Sequence, residues 1–197
     1  MKTIKKINKL KKLMKKPSFK SSEVRKAGVN TALISYYIKT GLIERIDRGV
    51  YKNPNYSSDN FAFEDLFQSA LGIKNGVICL ISALSYWELT DEMPRVHWIA
   101  IPNKAKAPVR KNVKIIRMRN FNLGISKIKE KNYTIKIYNQ ERTIIDSFRL
   151  LDKEVAIKAL KAYFNHNKLK PDIKTLTRYA KALRVDISKY LIMITTN

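Results

Sequence analysis

Cysteine, histidine, glycine and carboxylates are all scarce in this chain of 197 residues. Its one cysteine, Cys79, excludes an intrachain disulfide framework. The thiol sits in the apolar run Val77-Ile78-Cys79-Leu80-Ile81, which predicts a buried group in a reducing compartment. Two histidines, His97 and His166, with no paired-cysteine spacing, leave zinc or triad chemistry little to work with. The six glycines form no glycine-rich phosphate loop. The longest apolar stretch, Val77 to Trp87, contains two serines and is too short to span a bilayer. Met1 to Lys16 is basic but lacks the apolar run of a secretion signal. These absences predict a cytoplasmic protein, not an enzyme, with no metal, no cofactor and no membrane partner.

What is present is positive charge. Forty Lys and Arg stand against 16 Asp and Glu, a net of +24. Such an excess points to a polyanion, either nucleic acid or an anionic membrane. A compositional bias visible in the abundant Ile and Asn would favour lysine, but it does not explain so few carboxylates. The charge is uneven. Up to Asn55 there are 15 basic and three acidic residues, so that about a quarter of the chain holds half the net charge.

That basic quarter has helix-turn-helix punctuation. Thr3 to Lys16 reads as a first helix with Ile4, Ile7, Leu10, Leu13 and Met14 on one side, ended by Pro17. The rival reading of this segment is a basic amphipathic helix on a membrane surface. Ser21 or Ser22 can cap a short helix through Lys26, and Gly28 stops it. Asn30 caps the next helix, Thr31 to Thr40, closed by Gly41. On that helix Leu33, Ile34, Tyr37 and Ile38 face inward, while Ala32, Ser35, Tyr36 and Lys39 share the opposite side. A small residue, a hydroxyl, an aromatic ring and a cation suit a major groove. The runs Ile43–Ile46 and Gly49–Lys52 around Asp47-Arg48 then predict a hairpin, which makes a winged helix with Arg48 at the wing tip. The expected DNA contacts are Ser22, Asn30, Thr31, Ser35, Tyr36, Lys39, Arg45, Arg48 and Lys52.

Asn53 to Ser58 reads as a linker. The expected organisation is a DNA-binding domain over 1–55 and a C-terminal domain over 56–197. Beyond the linker, Ser58–Ile73 and Ser82–Leu89 read as helices, and Val96–Pro102, Val113–Arg119 and Tyr133–Tyr138 as strands. Glu141–Leu151, Lys153–Asn165, Ile173–Leu183 and Ile187–Ile194 read as four further helices. The expected class is α+β: a winged helix-turn-helix followed by a mixed C-terminal domain with a small sheet and several helices.

Two further clusters invite chemistry. Glu141 and Asp146 fit a metal-dependent nuclease on paper. The plainer account places Glu141 in the first turn of a helix and pairs Arg142 with Asp146 four residues on. His97 reads as structural within a strand, and His166 as ending a helix. The basic loop Lys104, Lys106, Arg110 and Lys111, with Arg117 and Arg119 pointing one way on the next strand, reads as a solvated surface. Alternatively it is a second contact with DNA or an acidic partner.

Four segments in succession carry a family likeness: Thr40–Tyr51, Ser82–Pro94, Val96–Pro102 and Glu141–Arg149. Together they resemble the AbiEi antitoxins of bacterial AbiE-type, or type IV, toxin–antitoxin systems. The resemblance implies autorepression of the operon by the winged helix, usually at inverted repeats in double-stranded DNA. It also implies a C-terminal domain that counteracts a nucleotidyltransferase-like toxin, and a monomer in solution that binds DNA cooperatively. Ser35, Tyr36, Lys39 and Arg48 fall in the recognition helix and wing. The chain departs from the family in its lysine content. A general nucleic-acid binder without sequence choice or toxin partner is the alternative that the charge alone supports.

Overall fold

A computed structural model describes residues 11–16, 18–55, 62–130, 133–166 and 170–195. Pro17, the start of the expected first helix and Tyr56 to Phe61 lie outside the described residues. The chain forms two compact units, one of Met1–Gly72 with Lys129–Thr134, the other of Ile73–Ile128 with Ile135–Asn197.

The first unit runs β1 (Phe19–Lys20), α1 (Ser21–Lys26), α2 (Thr31–Lys39), β2 (Glu44–Asp47), β3 (Val50–Lys52) and α3 (Glu64–Gly72). Residues 11–13 are also helical. The strands form an antiparallel sheet in the order β1-β3-β2, with Phe19 opposite Tyr51 and Arg45 opposite Tyr51 from the other side. A register shift lies between Arg45 and Asp47, so the hairpin is bulged at the wing. Two-residue β1 was not expected. Pairing with β3 creates it, since its own residues are too few to mark a strand. Phe19, Val24, Val29, Ile34, Tyr37, Ile43 and Tyr51 make the core, and Leu13, Met14, Leu33 and Ile38 pack against it. Leu13 and Met14, in the described part of the basic N-terminal segment, thus turn to the winged-helix core.

The second unit holds α4 (Leu80–Tyr86), β5 (His97–Pro102), β6 (Val113–Met118), α5 (Gln140–Leu150), α6 (Lys153–Asn165), α7 (Ile173–Leu183) and α8 (Ser188–Thr195). Its sheet also includes β4 (Val77–Ile78), β7 (Ile125–Glu130) and β8 (Tyr133–Tyr138), in the order β6-β5-β4-β8-β7. β4 runs antiparallel to β5 and parallel to β8, while β5 and β6 are parallel. The class is α+β, as the sequence predicts. The helix expected from Ser82 begins instead at Leu80 and ends at Tyr86, because Val77-Ile78 is drawn into the sheet and Leu80 turns the chain at positive φ. β6 ends at Met118, so Arg119 lies one residue beyond the strand; it and Arg117 are both exposed.

Helices α5, α6 and α7 bury Ile144, Ile145, Phe148, Ala156, Leu160, Tyr163, Leu176 and Leu183 in one cluster. Every residue of α5 from Glu141 to Phe148 is buried, polar ones included. Their partners explain it. Arg142 Nε donates to Asp146 Oδ2 at 2.7 Å, and its Nη1 donates to the carbonyls of Asn120 and Leu123 at 2.8 and 2.7 Å. Arg149 donates to the other Asp146 oxygen at 2.6 Å, and Tyr163 donates its hydroxyl proton to Glu141. Burial, followed by the hydrogen bond to Glu141, pushes the Tyr163 phenol up from its ordinary value.

Candidate nucleic-acid interface

The helix-turn-helix is built by local signals that the sequence displays. Helix α1 ends at Lys26 and Gly28 takes φ +84°, a conformation that glycine adopts without steric penalty. Val29 is buried beside Val24, which fixes the turn to the core. Asn30 then caps α2: its carboxamide oxygen accepts from the Leu33 N–H at 2.9 Å. The cap of α1 differs from expectation. Neither Ser21 nor Ser22 fills it. Lys20 holds the cap position, and Glu23 reaches back to accept from the Lys20 N–H at 2.9 Å. Ser21 is already the first helical residue, with its N–H donating to the Gly49 carbonyl at 2.8 Å. Burial works against the Glu23 charge. The bonds from Lys16 and Lys20 outweigh it and hold the carboxyl below its usual range.

Helix α2 sorts its residues as the periodicity requires. Ile34 and Tyr37 are buried, while Ala32, Ser35, Tyr36 and Lys39 are exposed. Tyr36 is 58% exposed, and its ring lies 5.8 Å from that of buried Tyr37, which supports it from the inner side. Thr31 opens the helix, and Thr40 after its end donates to the Tyr36 carbonyl at 3.1 Å. Gly41 then breaks away at φ +69°. At the wing, Arg48 is exposed in the turn and Gly49 takes φ +75°. A side chain at Gly49 would meet the Ser21 hydroxyl at 3.2 Å, so that position serves both the turn and the packing.

The other expected contacts divide. Ser22 and Arg45 are exposed. Lys52 is directly opposite Glu44 and pairs with it at 3.2 Å, so its charge is partly spent within the hairpin. Exposed pairs of this kind are worth about 0–1 kcal/mol, and a phosphate could displace the carboxylate. In the second unit, Lys104, Lys106 and Lys111 are exposed and Arg110 is half-buried in the loop joining β5 to β6. Arg117 is exposed on β6 opposite Ile101. Motif reading missed the extent of this stretch in sequence, which reaches from β5 to β7 at the far edge of the sheet. From Arg95 to Ile128 there are nine Lys and Arg and no Asp or Glu, including Lys114, whose ammonium sits 3.8 Å above the Trp98 ring. The length of the carboxylate-free stretch is the signal that finds it.

Glu141 and Asp146 are satisfied by protein partners, so the structural account of that pair holds. Among the described residues no group of three or more His, Cys, Asp and Glu could hold a metal ion. His97 lies half-buried at the start of β5, and His166 pairs with Glu88 at 3.3 Å. No helix among the described residues is long and apolar enough to cross a membrane.

With α1, α2 and the wing in place, the comparison with known families concerns this segment directly. Residues 13–54 match the family described as transcriptional regulator, AbiEi antitoxin. The match covers the end of the N-terminal segment, both helices of the helix-turn-helix and the whole wing. Of the four segments expected to carry the AbiEi likeness, the match covers Thr40–Tyr51, and it is a likeness to transcriptional regulators and antitoxins. No curated protein matches the chain.

Proposed function

We propose that this protein is a DNA-binding antitoxin that represses its own operon through the winged helix and counteracts a nucleotidyltransferase-like toxin. The observation that carries the reading is the exposed face of α2, where Ala32, Ser35, Tyr36 and Lys39 stand together beside the wing, inside the segment that matches AbiEi regulators. Such a face can enter a major groove while the wing places Arg48 near phosphate or the minor groove. Ser22, Asn30, Thr31, Arg45 and Lys52 are assigned supporting contacts. The functional division is a winged helix within 1–55 and an antitoxin region after it. The protein acts in the cytoplasm as a monomer that binds inverted repeats cooperatively.

A second reading, binding to any nucleic acid without sequence choice, has the net charge of +24 in its favour. Fluorescence anisotropy separates the two. The DNA upstream of the gene is compared with a scrambled duplex across a salt series. A preference of about 10³ that survives physiological salt is expected. Equal binding to both duplexes, lost together with salt, would leave charge as the whole explanation.

A further inference from the structure

Resting on that reading of α2 and the wing, the chemistry of the exposed face limits which bases it can recognise. Direct readout of guanine is done by Arg or Lys at O6 and N7, and readout of adenine by Asn or Gln, bidentate to N6 and N7. The exposed face of α2 carries Ala32, Ser35, Tyr36 and Lys39, with no Arg, Asn or Gln among them. The nearest carboxamide, Asn30, has its oxygen engaged by the Leu33 N–H at 2.9 Å. Bidentate use of that carboxamide on adenine would therefore compete with the helix cap for its oxygen. Thr40 is likewise turned to the carbonyls of Tyr36 and Tyr37. Lys39 is a cation, but it lies in the last turn, whereas recognition helices meet base edges mainly with their N-terminal residues.

The Ser35 hydroxyl can bond to more than one base and so discriminates little, which leaves apolar contact as the selective chemistry of this face. The Ala32 methyl and the Tyr36 ring, backed by Tyr37, are matched by one major-groove feature, the C5-methyl of thymine. The wing supplies a second selection in the same direction. An arginine at a wing tip is drawn to a narrow minor groove of enhanced negative potential, which A-tracts provide and which the exocyclic amine of guanine obstructs. We infer that the protein selects A·T-rich sites, with Ala32 and Tyr36 against thymine methyl groups and Arg48 in a narrowed minor groove, and that no guanine is read directly.

The test uses the full chain. Duplexes bound from a random pool are selected at physiological salt and sequenced, and the enriched site is then remade with single-atom changes. The expected result is an A·T-rich site in which replacing thymine with deoxyuridine at the methyls under Tyr36 weakens binding about fourfold for each methyl lost. Replacing guanine with 7-deazaguanine should have no effect. Tyr36→Ala should abolish the difference between thymine and deoxyuridine at those positions while leaving the salt-dependent phosphate binding in place. A guanine-centred site weakened by 7-deazaguanine would overturn this inference and leave the specific-regulator reading intact. A pool with no enrichment would overturn both.

Discussion

At the scale of single residues, the buried Arg142–Asp146 pair shows how the same carboxylate can be read as chemistry or as architecture. Both side chains are fully buried, the guanidinium stacks 4.4 Å from the Tyr138 ring centre, and the Asp146 oxygens are shared between Arg142 and Arg149. Removing charge from one member of such a set leaves the other uncompensated in a medium that solvates it poorly, which costs about 3–5 kcal/mol. Asp146→Asn keeps the volume and removes the charge. Urea unfolding of this variant should show a loss of that size, and a loss below about 1 kcal/mol would mean that the ion pair is better hydrated than its burial indicates. Gly124 belongs to the same cluster. At φ +74°, a Cβ there would come within 2.6 Å of the Arg142 Cβ, so the glycine is demanded by the arginine's position.

At the scale of elements, the entry to α1 depends on a carboxylate and not on the serines that its sequence offers. Glu23 accepts from the Lys20 N–H and from the Lys16 ammonium, at 2.9 and 2.6 Å. Burial raises its carboxyl, but those two bonds outweigh the burial and hold it below its ordinary value. A lowered value in the folded state gives stability that is present above the unfolded value and lost as pH falls through the folded one. Glu23→Gln should therefore be less stable than the parent at neutral pH, and the gap should close progressively below about pH 4. Thermal unfolding from pH 7 to 3 would show this, and a gap that stays constant with pH would remove the charge from the explanation. The sequence is legible where the signal is local. Lys153–Asn165, Ile173–Leu183 and Tyr133–Tyr138 occur at the limits their periodicities predict. Gly28, Asn30, Gly41 and Gly49 likewise play their expected parts in the turns and caps. Two-residue β1 and β4 escape because only pairing with β3 and with β5 and β8 defines them. β7 escapes because its lysines dilute a period-two pattern that Ile125 and Ile128 do not themselves keep. For the interface, periodicity alone places Ala32, Ser35, Tyr36 and Lys39 on the exposed side. It cannot reveal that Lys52 is paired with Glu44, since that depends on the register of the hairpin.

At the scale of the whole molecule, positive charge falls on two stretches with different support. The winged-helix segment up to Asn55 carries 15 cations against three carboxylates, with Arg25, Lys26 and Lys39 on helices and Arg45, Arg48 and Lys52 on the hairpin. The stretch from Arg95 to Ile128 carries nine cations and no carboxylate, but Lys104 and Lys106 stand in an irregular loop with no secondary structure to match them to successive phosphates. Total charge cannot distinguish these stretches, whereas counterion release can, because each phosphate contact contributes about 0.9 to the slope of log K against log salt. Lys39→Ala should shallow that slope by about one on operator DNA. The double variant Lys104→Ala/Lys106→Ala should leave it unchanged, as expected of a solvated loop. A slope reduced by about two in the double variant would instead bring the second stretch onto the DNA. The footprint of the protein would then exceed what the winged helix alone can cover, and the lysine excess would have to be assigned to affinity along the duplex as well as to recognition within it.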